Sequence, residues 1–457
     1  MSSHRMIALG LASILSLAPA LAQAQETITV WFTKGFYKSE DDALFAAVDK
    51  FQKKTGIKVD ISLYSTEDCV TKSVGAVEAG TPPDLGFCTT YDFRTTGKWA
   101  YEGRLEDLSD IVNPMKSAFV PDALATTWLY NDKLKKKSYF AMPIQRQTIH
   151  INYWRDMLTD AGFKESDIPT DWSGYWNFWC DKVQPALRAK GQRIYAIGHP
   201  LGIEASDTFY SFLMVASAYN AQVVDEDGKI VLDQPKNRAA MIEALTFYTS
   251  INAKSCTPPS SLSWKDPDNN NAFHTKQTVM THNATISIAA KWLDDSNNAA
   301  LTPEQRANAK ENYEKKIATT KWPNRPDGSV IPNLAATKTA VVFADARNKA
   351  KGKEFLAFLM QEENLRPFVE GSLGRWYPVT VESTKSPFWN AGDPHRAVVH
   401  RQFSEGTVPF QFVYNFRFTQ VNAENAWARA MQRVMQDKVS PDVAVDEMIK
   451  RIKEIAG

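Results

Sequence analysis

Several side chains in this 457-residue chain combine an aromatic face with planar hydrogen-bonding groups. Lys34, Phe36 and Tyr37 share the loop 33–38, Tyr64 and Glu67 flank the loop 65–67, and Asp92 lies in the loop 89–94. Trp264 stands beside Lys265 and Asp266 on a stretch rich in Pro, Ser, Asp and Asn. An aromatic ring offers an apolar surface to the C–H face of a sugar. Carboxylate, amide and guanidinium groups satisfy its hydroxyls two at a time. That is the chemistry of holding a polyhydroxylated ligand rather than transforming one. A glycan hydrolase would set two carboxylates about 5–10 Å apart across its substrate, and no nucleophile or metal motif accompanies the acidic residues here. Asp266-Pro267-Asp268-Asn269-Asn270 has the 1, 3, 5 spacing of a calcium loop. It carries Asn271 where that loop needs Gly and Gln277 where it needs the bidentate Glu. The seven histidines are scattered. No enzyme activity, metal or cofactor is expected.

The elements that must position these residues follow from periodicity. Residues 28–32 alternate as a strand. A helix follows over 39–55, with Ser39 as its cap, Asp42 three residues on, and Ala43, Leu44, Ala47, Val48 and Phe51 on one face; Gly56 ends it. A second strand spans 57–64, so the unit is strand-helix-strand with a right-handed crossover. The pattern repeats through a helix over 70–79, the stop Thr81-Pro82-Pro83 and a strand over 85–88. Ligands of such a sheet bind beyond the carboxyl ends of its strands, which is where the three loops lie. A second α/β region begins near Gln145. It has helices over 154–161, 172–187, 206–219 and 236–250 and strands over 194–198 and 278–281, with residues 257–271 as a loop. Trp172, Trp176 and Trp179 fall at near-helical spacing and read as packing. From Lys349 the chain is mostly helical, and Ser440 with Pro441 starts a last helix whose Val445, Met448, Ile449 and Ile452 share a face.

Residues 1–24 carry Arg5, an apolar run over 6–17, Pro19 and the small-residue site Ala22-Gln23-Ala24, and are expected to be a signal peptide cleaved before Gln25. The run is too short to span a membrane. No cysteine stands at the cleavage point, so a free periplasmic protein is expected. The formal net charge is +1, and removing Arg5 balances it, which argues against a nucleic-acid partner. Lys133, Lys135, Lys136 and Lys137 read as a solvated turn. Four cysteines allow three pairings in an oxidising compartment. Cys69 with Cys88 and Cys180 with Cys256 is the favoured set, although spacing alone does not decide it.

The stretches Thr29-Val30-Trp31, Phe51-Gln52-Lys53-Lys54-Thr55-Gly56-Ile57-Lys58-Val59 and Gly80-Thr81-Pro82-Pro83-Asp84, in that order, resemble the extracellular solute-binding proteins of ABC importers. The likeness is to family 1, the maltose-binding-protein-like carbohydrate group. It continues from Ile151 to Gly162, from Ile168 to Trp172, from Ala272 to Met280 and from Ala350 to Leu359. Where the family often presents a tryptophan after the third strand, this chain has Cys88. The resemblance implies an α/β, two-lobed periplasmic binding protein fold of the type II kind, with a ligand cleft between lobes joined by hinge segments. It implies a monomer that captures a mono- or oligosaccharide and delivers it to membrane permease subunits. The expected division is 25–144 with 280–340 for the first lobe and 145–279 with 341–457 for the second, with crossings near 142–150, 277–283 and 336–345. The resemblance adds Asp92 as an acidic sugar contact and Arg375 and Trp376 in Gly374-Arg375-Trp376-Tyr377-Pro378. Gln145 and Arg146 join them at the first crossing, and Asn283 after the returning strand. With Lys34, Phe36, Tyr37, Tyr64, Glu67 and Trp264 these are the candidate ligand contacts. Lys34, Arg146 and Arg375 together raise a second reading, in which the ligand is acidic, such as an acidic sugar or a glycerophosphodiester; a polyol stands beside these as a further alternative.

Overall fold

The computed structural model describes residues 26–390 and 392–457, so the expected signal peptide lies outside the described residues. The alternation at 28–32 becomes β1 (Thr27–Thr33), which buries Ile28, Val30 and Phe32. The other strands, in chain order, are β2 (Lys58–Tyr64), β3 (Leu85–Phe87), β4 (Trp128–Asn131), β5 (Lys136–Tyr139), β6 (Met142–Thr148) and β7 (His150–Trp154). They continue as β8 (Tyr195–Gly198), β9 (Thr278–Asn283), β10 (Ile317–Thr320), β11 (Asn333–Val342) and β12 (Thr407–Pro409). β1 pairs in parallel with β2 and β3, as the strand-helix-strand reading requires.

Two main sheets result. The first runs β12-β11-β3-β1-β2 with β6 also on β11; the second runs β10-β7-β9-β8. Each sheet has its own core. Ile28, Val30, Phe51, Phe355 and Leu356 pack in the first lobe, and Trp154, Trp176, Trp179, Phe212 and Tyr248 in the second. The three tryptophans at 172, 176 and 179 are buried there, as packing demands.

The chain divides between the lobes differently from the expectation. β9 lies wholly in the second sheet, hydrogen-bonded to β7 and β8, so 277–283 is not a crossing. β11 lies wholly in the first sheet, so 336–345 is not one either. The helix Lys349–Leu359 was expected in the second lobe, yet it packs on the first, with the Phe355 ring 5.0 Å from that of Phe51. The chain passes between sheets at Ile149, where a crossing was expected, then over 321–332, and again after β12. Beyond Phe410 it ends in the second lobe, where Phe418, Trp427, Val445 and Ile452 join the core.

Smaller corrections have local causes. The first helix spans Lys38–Thr55, so Ser39 lies inside its first turn rather than at its cap. Glu40 and Asp41 accept the loop's Phe36 and Gly35 N–H groups. The stretch 257–271 is not all loop: a 3₁₀ turn occupies Pro259–Ser263, and a helix starts at Asp268. Both favoured disulfides are present, Cys69–Cys88 in the first lobe and Cys180–Cys256 in the second.

Candidate functional site

Strand periodicity decides what faces the space between the lobes. Successive side chains of a strand point to opposite faces. On β6, Gln145 and Gln147 therefore share one face, while Arg146 takes the other. Across the ladder Lys338 of β11 stands opposite Gln145. These side chains lie under two adjacent cavities that share Thr89 and Arg375. The first lobe adds Phe36 and Thr90 after its strand ends. The second lobe adds Asp207 and Tyr210 on the helix Ser206–Ala218, Asp266, and Asn283 at the end of β9.

The segment that carries Arg375 and Trp376 is set by its neighbours. Gly374 has φ +92°, and a Cβ there would stand 2.6 Å from Arg396 Cγ, so a glycine is required. Tyr377 exchanges two backbone hydrogen bonds with Arg146, at 2.7 and 2.9 Å, which points its ring into the first-lobe core and Trp376 toward the cleft. Arg375 Nη1 donates to both Glu40 oxygens, at 3.1 and 2.9 Å, and the Trp376 indole N–H donates to Glu40 at 2.7 Å. The guanidinium carbon lies 3.7 Å from the Phe36 ring centroid and 4.7 Å from that of Trp376.

Lys338 is the buried cation of the floor. Its Nζ lies 3.3 Å from each Asp92 oxygen and donates to the Tyr210 hydroxyl of the opposite lobe at 2.5 Å. Burial pushes the Lys338 ammonium down and the Asp92 carboxyl up, and each charge opposes the other's shift. Asp207 is pushed up by burial and by the Asp266 carboxylate, against hydrogen bonds from Asn269 and the Ala284 N–H. Asp266 accepts from the Ser206 N–H and hydroxyl, and its own N–H reaches Glu67 across the lobes at 3.4 Å.

Three residues that line this space each carry a buried polar atom without a partner in the protein: Gln147 Nε2, Thr90 Oγ1 and Arg375 Nε. Buried polar atoms are normally satisfied, so their convergence on one cavity marks the place where a ligand would supply the missing bonds.

The expected contacts sort accordingly. Phe36, Asn283, Arg375 and Trp376 line one cavity, Lys34, Gln145 and Arg375 the other. Asp92 supports Lys338 from below, and Glu67 makes an interlobe contact. Four expectations fail. Arg146 points to the far face of β6, paired with Asp122 and stacked 4.3 Å from the Phe403 ring. Tyr37 is buried and donates to the Ser372 carbonyl. Tyr64 packs edge-on to Trp31, 5.4 Å between centroids. Trp264 is buried in its own lobe with its N–H on Ser260; Asp266, two residues on, faces the cleft instead. Sequence reading missed Gln147, Lys338, Asp207 and Tyr210. A lone lysine within the small-residue strand Ala335-Ala336-Thr337-Lys338-Thr339-Ala340 was a visible signal for one of them.

Among known proteins, the family model described as bacterial extracellular solute-binding protein matches residues 46–397. YcjN of Escherichia coli K12, a proposed ABC transporter periplasmic-binding protein, is 22% identical over 261 residues, 57% of this chain and 52% of that protein. The chain thus matches about half the length of this curated relative. An ABC transporter solute-binding protein from Thermotoga lettingae, solved with α-D-tagatose, superposes with a TM-score of 0.76 at 19% identity, covering 95% of this chain and 100% of that one. Maltose-bound MalE3 of T. maritima gives 0.72 at 17%, covering 94% and 99%. At such identities the likeness is one of fold, and the fold is the two-lobed α/β one expected.

Proposed function

This chain belongs to the bacterial extracellular solute-binding proteins, and from that premise we propose that it captures a neutral carbohydrate between its lobes and delivers it to the permease of an ABC importer. It works in the periplasm as a monomer, after removal of its first 24 residues, and it catalyses nothing. The observation that carries the ligand class is the set of unpartnered atoms, Gln147 Nε2, Thr90 Oγ1 and Arg375 Nε, gathered where both lobes contribute side chains. Hydroxyl groups, which both donate and accept, suit such a set. Fold neighbours solved with α-D-tagatose, maltose and ribitol support the same class.

The acidic-ligand reading loses its footing with Arg146, which faces away from the cleft. Arg375 is compensated by Glu40 and Lys338 by Asp92, while Asp207 and Asp266 also face the ligand space. With Lys34 beside Asp41 in the second cavity, no surplus of positive charge remains to attract an anion. Capture works by population shift: a ligand that touches both lobes only when they meet favours the closed form by that difference in affinity. Thermal unfolding of the ligand-free protein against neutral sugars, acidic sugars, polyols and glycerophosphodiesters tests the reading. A ligand at about 100 times its dissociation constant adds about 2.7 kcal/mol. Shifts confined to anionic compounds would refute it.

A further inference from the structure

The boundaries of the cleft say how long its ligand can be. Beside the ligand-facing groups, the lobes touch each other directly. Asp266 lines the cavity, and its N–H is bonded to Glu67 of the first lobe. At the other border, next to the lining residue Glu40, the Ser39 N–H is bonded to Asp294 of the second lobe at 3.3 Å. Between these borders, Lys338 is bonded to Tyr210 across the floor. Arg94 adds a fourth link, donating to the Glu204 carbonyl at 3.3 Å. Each added ring of an oligosaccharide would have to pass through one of these contacts, breaking a bond that holds the closed form together.

The aromatic lining points the same way. A chain of sugar rings is held by a succession of free aromatic faces. Here the Arg375 guanidinium lies over both Phe36 and Trp376, and the Trp376 N–H is taken by Glu40. Tyr210 is held by Lys338. Phe36 keeps an exposed surface, but Trp376 and Tyr210 are buried, so these three rings form no row of open platforms. The residues that carry the unsatisfied atoms instead line one small cavity, which suits several hydroxyls on one small molecule. The cavity lined by Asp207, Asn283 and Arg375 measures about 20 Å³, room for about one water, so any ligand must part the lobes to enter, and each further ring must part them further.

Resting on the carbohydrate reading above, we propose that this is a single-ring site, taking one neutral monosaccharide or a linear polyol and excluding chains of two or more rings. The test is native mass spectrometry of the mature protein, stripped of ligand by unfolding and refolding. It is incubated with an equimolar mixture of neutral saccharides of one to six rings, linear polyols, and acidic monosaccharides. The expected adduct has the mass of one neutral ring or one polyol, with at least tenfold lower occupancy by any longer chain. An adduct of two or more neutral rings at comparable occupancy overturns the size limit while sparing the carbohydrate reading. Adducts of acidic sugars alone, or of neither a neutral saccharide nor a polyol, overturn the reading on which it rests.

Discussion

Lowering the pH should unfold this protein by a route that one residue makes measurable. His150 opens β7 directly after the first crossing and is buried. Burial holds its imidazole neutral, with its pKa lowered to about 3, against about 6.5 in an unfolded chain. Between those values the unfolded chain binds a proton that the native one refuses, so stability is full above pH 6.5 and is lost as pH falls toward 3. Each pH unit below 6.5 removes about 1.4 kcal/mol, so His150 alone costs about 2 kcal/mol between pH 7.5 and pH 5. His199, His274 and His395, also held low by burial, add losses of the same sign. Asp207 and Asp92, held high, work in the opposite direction, gaining stability as pH falls. A comparison with His150→Phe cancels all of these. Whatever that substitution costs at neutral pH, the readout is the slope: urea unfolding at pH 7.5, 6.5, 5.5 and 5.0 should show the variant losing about 2 kcal/mol less than the parent across the range. Parallel pH profiles would refute the claim that His150 stays neutral in the folded protein.

Three further outcomes are expected. Gln147→Leu removes a donor with no protein partner to lose, so titration calorimetry with the saccharide found by screening should show affinity about five- to tenfold weaker, with Tm nearly unchanged; an unaltered affinity would remove Gln147 from the site. Tyr210→Phe deletes a charge-assisted bond made only when the lobes meet, about 1.5–3 kcal/mol. Affinity should fall about 10- to 150-fold and small-angle scattering should report a more open shape, an unchanged scattering profile counting against the contact as a closure bond. Replacing Cys180 and Cys256 together by Ser frees a loop with a sequence separation of 76 residues, against 19 for Cys69 and Cys88. Chain entropy predicts losses of about 4.5 and about 3 kcal/mol respectively, and denaturant titrations that reverse this order would contradict the model of loop closure.

What the sequence made legible was local. The alternation at 28–32, the apolar face from Leu44 to Phe51 and the turn at Gly56 each have a period or a residue that speaks for itself, and they fold as read. The division between lobes did not, because nothing within 277–283 says that its hydrogen bonds go to β7 and β8 rather than to the first sheet. Pairing partners distant in sequence leave no local trace. The site was half legible for the same reason. Loop aromatics such as Phe36 and Trp376 announce themselves, but Asp207 reads as an ordinary first-turn helix residue until the second lobe brings Asp266 beside it. Gln145 and Arg146 are adjacent on β6 and so face opposite ways. Neighbours on a strand cannot share a face, and the strand itself selects Gln145 with Gln147.

The two disulfides join cysteines that are consecutive along the chain, first with second and third with fourth. Each pair also lies inside one uninterrupted stretch of its lobe, before the chain makes its second crossing. A polypeptide oxidised as it emerges amino terminus first therefore meets each correct partner before any competing thiol appears. Its native connectivity needs no reshuffling, and the second lobe can be stapled while its last helices are still being made. Oxidation during vectorial release should thus proceed at the same yield with or without a disulfide isomerase, whereas oxidation of the fully reduced, full-length chain, with all four thiols present at once, should benefit from one.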